Sequence, residues 1–144
     1  SELTVDAYCA LLEKTGPSVI VAHSQGASLA FEVLQKKPDL VKALVAVEPY
    51  GAGNKELVQT ITKIPILWIF GDYTDRHPAW KAARETAVDF CQFFREHGGD
   101  GEVMTLPDLG ITGNSHMMMM EYNNYEIADL IEEWLIGHGL TAEP

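Results

Sequence analysis

Apolar and polar positions alternate along this chain in two periods, and the switch between them marks the elements. From Leu3 to Lys14 the apolar residues Val5, Tyr8, Cys9, Leu11 and Leu12 follow a helical period, and Gly16-Pro17 ends it. Ser1 reads as the N-cap of that helix, as at a cleaved end. Ser18 to His23 is a short β-branched run and predicts a buried strand. Gly26 to Lys37 returns to the helical period, with Ala27, Ala30, Phe31 and Leu34 on one face and Pro38 as the stop. Val41 to Val47 predicts a second strand, Lys55 to Thr62 a short helix, and Ile64 to Phe70 a third strand with Pro65 near its start. Pro78 to His97 predicts the longest helix, bounded by Pro in its first turn and Gly98-Gly99 after its end. Glu102 to Leu106 predicts a fourth strand, Pro107 to Asn114 a loop, and Met117 to Ile136 a last helix.

Strict alternation of helix and strand predicts an α/β fold, with parallel strands, right-handed crossovers and helices on both faces of the sheet. The strands are apolar almost throughout, as expected of a sheet covered on both sides. With 144 residues and 47% hydrophobic content, the chain is a single domain with enough apolar side chains for a packed core.

Charge narrows the function classes. Ten Lys and Arg stand against 21 Asp and Glu, a formal net charge of −11. This argues against nucleic acid and against an anionic membrane surface, both of which need a basic footprint. Residues 1–72 carry −2 and residues 73–144 carry −9, with no Lys or Arg from Glu121 onward, a pattern that reads as a solvated acidic helix face. No apolar run is long enough to span a membrane, and no leader segment is visible. The chain is therefore expected to be soluble; the compartment stays open, secretion included. Cys9 and Cys91 lack CxxC spacing and sit in apolar helical patterns, which favours buried free thiols and leaves a disulfide open. No HExxH, paired His or Asp cluster and no phosphate-cradling loop is present, so neither a metal nor a cofactor is called for.

The sharpest chemical feature is Ser24, in Ala22-His23-Ser24-Gln25-Gly26, between a predicted strand and a predicted helix. A small-x-Ser-x-small turn of this kind lets a strained serine expose its Oγ at a helix N-terminus, where the dipole favours developing negative charge. The backbone N–H of Gln25 then points toward the carbonyl oxygen under attack. A serine needs a base. Of five histidines, His97 and His138 precede glycine at helix ends, His77 starts a helix without an obvious task, and His23 neighbours the serine and could shape a pocket. His116, in the loop after the last strand, is the candidate base, because α/β sheets place their sites in loops at the C-terminal ends of strands. Two acids qualify by position as its orienting partner: Glu48, directly after the second strand, and Asp72, directly after the third. The residues alone do not choose between them. Tyr50, Trp68, Tyr73, Trp80 and the Met117–Met120 run could wall a pocket, although such residues more often serve packing.

The segments His23-Ser24-Gln25-Gly26, Val47-Glu48-Pro49, Phe70-Gly71-Asp72 and Gly113-Asn114-Ser115-His116-Met117-Met118-Met119 resemble those of the α/β-hydrolases. They are most similar to a small group of bacterial and fungal esterases whose triad acid is a Glu after the sixth strand. The whole chain, residues 1–144, resembles the C-terminal half of one such catalytic domain, with the N-terminal half outside it. The resemblance implies a triad of Ser24, Glu48 and His116, with Asp72 as the alternative acid, and carboxylic-ester or lactone hydrolysis without a cofactor. The same triad could run acyl transfer or carbon–carbon bond hydrolysis, or persist in a ligand-binding module without catalysis. The resemblance also implies a second polypeptide carrying the N-terminal half, either a partner chain or the other piece of a nicked precursor, joined to the edge of the first strand here.

Overall fold

The computed structural model describes residues 2–141. Its elements follow the order α1 (Glu2–Thr15), β1 (Ser18–His23), α2 (Gln25–Lys36), β2 (Val41–Val47), β3 (Ile66–Phe70), α3 (Pro78–Glu96), β4 (Gly101–Thr105) and α4 (Asn124–Gly137). Short 3₁₀ turns fill Pro38–Leu40, Lys55–Thr60, Thr74–Arg76, Leu106–Leu109 and Met118–Met120. The predicted cap at Ser1 lies outside the described residues.

The four strands form one parallel sheet in the order β1-β2-β3-β4. Side chains alternate across a strand, so the central strands serve two cores at once. Leu44, Ala46, Ile66, Trp68 and Phe70 face α1, α2 and α3, where Phe31, Phe90 and Phe94 close around Trp68. Ala43, Val45, Val47, Leu67 and Ile69 face the other way, against Ile127 and Trp134 of α4. Trp68 is thus core, not pocket wall, at 0% exposure. Cys9 and Cys91 are free and buried in the first core, and burial pushes the Cys91 thiol pKa up. Glu126, Asp129, Glu132 and Glu133 occupy the exposed face of α4.

β1 and β4 are the edges. β1 pairs only with β2 among the described residues, and Val21 on it is 57% exposed.

One predicted element is different. The Met117–Ile136 helix begins at Asn124; the methionines before it form a 3₁₀ turn, and Glu121 after them is extended. The cause is polar. Glu121 turns its carboxylate back to the Ser115 backbone N–H and hydroxyl, and Asn114, fully buried, exchanges two amide hydrogen bonds with Asn123. These bonds tie the segment to the preceding loop and hold it out of a helix.

Candidate active site

Ser24 and Glu48 each stand one residue past the end of a strand. Ser24 N–H still donates to Val47 O at 3.0 Å and Glu48 N–H to Ile69 O at 2.8 Å, so both continue the sheet ladder by one bond. Both then turn sharply: they are the only non-glycine residues with positive φ among those described, 55° at Ser24 and 44° at Glu48. Such backbone is strained for a side-chain-bearing residue and persists only where its surroundings hold it. Ser24 occupies the N-cap position of α2, yet its hydroxyl makes no capping bond, although serine is among the best capping residues. Gln25 is the first residue of α2, so its N–H is one of the helix's orphan donors. The small residue expected at Gly26 is not demanded by packing: a Cβ there would meet nothing within 4 Å.

His116 comes from the loop after β4. Its Nδ1 lies 3.5 Å from Glu48 Oε2, at the outer limit of a hydrogen bond. Its ring packs against two others, Trp80 at 4.0 Å and His23 at 4.5 Å between centroids. His23 also donates from Nε2 to the His116 carbonyl at 2.8 Å, so it ties the His116 backbone to the residue before Ser24. Tyr50 is exposed and packs edge-on against Trp80 at 5.5 Å. Met117 is exposed, Met118 is buried in the core against α4, and Tyr73 carries Arg76 over its ring face at 4.3 Å.

The two candidate acids occupy different places. Glu48 is 2% exposed and reaches His116. Asp72 instead accepts from two backbone donors of the histidine loop, Gly113 N–H at 2.7 Å and Asn114 N–H at 3.2 Å. Its own N–H donates to Asn114 O at 3.1 Å. Gly71 makes that approach possible, since a Cβ there would lie 2.5 Å from Asn114 O. Three other histidines have structural duties. His77 accepts from Ala79 N–H as the N-cap of α3, and His97 and His138 bond to carbonyls of the last turns of α3 and α4.

Sequence reading missed Thr74. It is 5% exposed, and its hydroxyl donates to Glu48 Oε1 at 2.9 Å, beside Gly71 N–H at 2.6 Å on the same oxygen. Nothing in Gly71-Asp72-Tyr73-Thr74 signals this, because a polar residue in an aperiodic loop reads as solvated until the fold buries it. No group of three or more His, Cys, Asp or Glu among the described residues is placed to hold a metal ion. No helix among them is long and apolar enough to cross a membrane.

Ser24, Glu48 and His116 stand after strands of one parallel sheet, at its C-terminal end, and the comparisons agree with the fold. The profile of the alpha/beta hydrolase fold matches residues 5–130, and the chain belongs to that family. A bacterial esterase of known structure superposes with a TM-score of 0.89 and 37% identity over 96% of this chain, which covers 43% of that protein. A probable secreted lipase, phiG, of a fungal species is 25% identical over 190 residues, covering 93% of this chain and 50% of the relative. A predicted hydrolase of Thermoplasma acidophilum shares the fold at a TM-score of 0.61 and 19% identity, with 91% of this chain and 57% of that one covered. The chain therefore spans about half the length of the fungal lipase and of the bacterial esterase.

Proposed function

We propose that this chain carries the catalytic residues of a serine hydrolase acting on carboxylic esters or lactones. The observation that supports it best is the Ser24 backbone. A serine at φ 55°, past the end of β1 with an uncapped hydroxyl, is held in strain for no structural return. In the proposed reaction His116 takes the Ser24 proton as Oγ attacks the ester carbonyl. Glu48 holds the His116 ring in the tautomer with Nδ1 protonated and faces the imidazolium that forms. Gln25 N–H donates to the oxyanion, and each such donor is worth about 3 kcal/mol of transition-state stabilisation. The tetrahedral adduct collapses, His116 protonates the departing alcohol, and water repeats the sequence on the acyl group at Ser24 to release the acid. The fungal lipase and the bacterial esterase make an ester the favoured substrate class over the other reactions such a triad can run.

The same proposal includes further polypeptide beyond β1. The open edge of β1, the exposed Val21 and the half-length coverage of both relatives support a sheet that continues past this edge. That polypeptide, a partner chain or the other piece of a nicked precursor, would also supply the second oxyanion donor, and such an interface is large and obligate.

The test is Ser24→Ala in the complete protein. Hydrolysis of a nitrophenyl ester falls to the uncatalysed rate while the fold persists by circular dichroism. Turnover by the variant at the wild-type rate would remove Ser24 as nucleophile.

A further inference from the structure

We propose that Thr74 is a positioning residue of the reaction, acting through Glu48; this rests on the function proposed above. The two carboxylate oxygens of Glu48 have separate duties. Oε1 accepts from Gly71 N–H at 2.6 Å and from the Thr74 hydroxyl at 2.9 Å, which leaves Oε2 to face His116 Nδ1 at 3.5 Å. A glutamate has three side-chain torsions, so its backbone alone does not fix which oxygen meets the histidine. Two donors converging on one oxygen do fix it.

The Thr74 hydroxyl has one proton and two acceptors within reach, Glu48 Oε1 at 2.9 Å and Gly71 O at 3.3 Å. The shorter bond, to the carboxylate, is the stronger of the two. Thr74 is buried, and its hydroxyl caps neither the 3₁₀ turn it opens nor α3, which are preceded by Tyr73 and His77. Gly71 serves Glu48 through its backbone, so no change confined to a side chain removes that donor. Thr74 is the half of the clamp that a mutation can reach.

A structural role for the hydroxyl, through Gly71 O, would act on stability and not on the histidine. Thr74→Val keeps the shape and removes the proton; Thr74→Ser keeps the proton. In the complete protein Thr74→Val lowers kcat by roughly 10–100-fold with KM within about twofold, since the misplaced group acts in the transition state. Thr74→Ser stays within about threefold of wild type, and in a Glu48→Gln background Thr74→Val costs less than about twofold more. Proton NMR gives a readout free of turnover: the His116 Nδ1–H resonance, far downfield through its carboxylate partner, persists in Thr74→Ser and is lost or displaced in Thr74→Val. If Thr74→Val does not fold, Thr74→Ala takes its place. Wild-type kcat in Thr74→Val, or an equal loss in both backgrounds, with the downfield proton unmoved, overturns the proposal. Should the wild type and Ser24→Ala prove equally inert toward esters, the reaction assignment fails, and the NMR comparison still decides whether Thr74 holds Glu48 to His116.

Discussion

Ser24 and Glu48 share a backbone device: each donates one last ladder bond and then leaves its strand with φ above +40°. The turn at Glu48 lets its carboxylate fall between β3's end and the histidine loop, where Gly71, Thr74 and His116 surround it. Asp72, one residue past Gly71, has its two oxygens committed to Gly113 and Asn114. From this division we predict that Glu48→Gln and Asp72→Asn differ sharply. In Glu48→Gln the amide oxygen takes over the Gly71 and Thr74 bonds, and the amide NH₂ turns to His116 Nδ1. That favours the tautomer with the proton on Nε2, which cannot accept the Ser24 proton, and kcat falls by up to ~10⁴-fold. Asp72→Asn sets an NH₂ against one backbone N–H, and destabilises the protein by about 1–2 kcal/mol before it affects chemistry. Steady-state kinetics beside thermal unfolding of the two variants checks the contrast; a larger kcat loss in Asp72→Asn would reverse the two roles.

Elements were legible where they are periodic. The strand runs at 18–23 and 41–47 coincide with β1 and β2, because a sheet buried on both faces leaves a continuous apolar signature. The methionine run misled for the opposite reason: four unbranched apolar residues suit a helix, but Glu121, Asn123 and Asn124 have partners in and around the histidine loop that no local pattern reveals. The chemistry divided along the same line. Ser24 and His116 stood out as candidates from their position after strands, and the choice of Glu48 over Asp72 came from resemblance alone. The clamp at Thr74 and the rings of His23 and Trp80 around His116 join segments far apart in sequence and needed three dimensions. β1 is an element-scale matter too. Among the described residues its outer row of backbone groups has no strand partner, and the Val21 side chain on it is exposed. We predict that these residues alone, at 15.9 kDa, do not form an active monomer, and that supplying the polypeptide beyond β1 restores turnover. Native mass measurement with an ester assay decides it; a stable, active 15.9 kDa monomer contradicts it.

At the scale of the molecule, one sheet with a core on each face carries the candidate residues at a single end. The loops after β1, β2, β3 and β4 bring Ser24, Glu48, the Gly71–Thr74 segment and His116 to that end in strand order. The acidic exposed face of α4 lies on the helix that covers one side of the sheet and makes none of the hydrogen bonds to Glu48 or His116 described above. The proposed reaction requires Ser24 Oγ as the nucleophile and His116 as its base. A fluorophosphonate reports this directly, because its phosphorus bonds to an activated serine Oγ as fluoride leaves. In the complete protein, digestion and mass mapping after treatment should find one adduct, on the peptide containing Ser24. It should be absent in Ser24→Ala and formed far more slowly in His116→Ala. An adduct on another residue, or labelling of Ser24 at an unchanged rate without His116, contradicts the account.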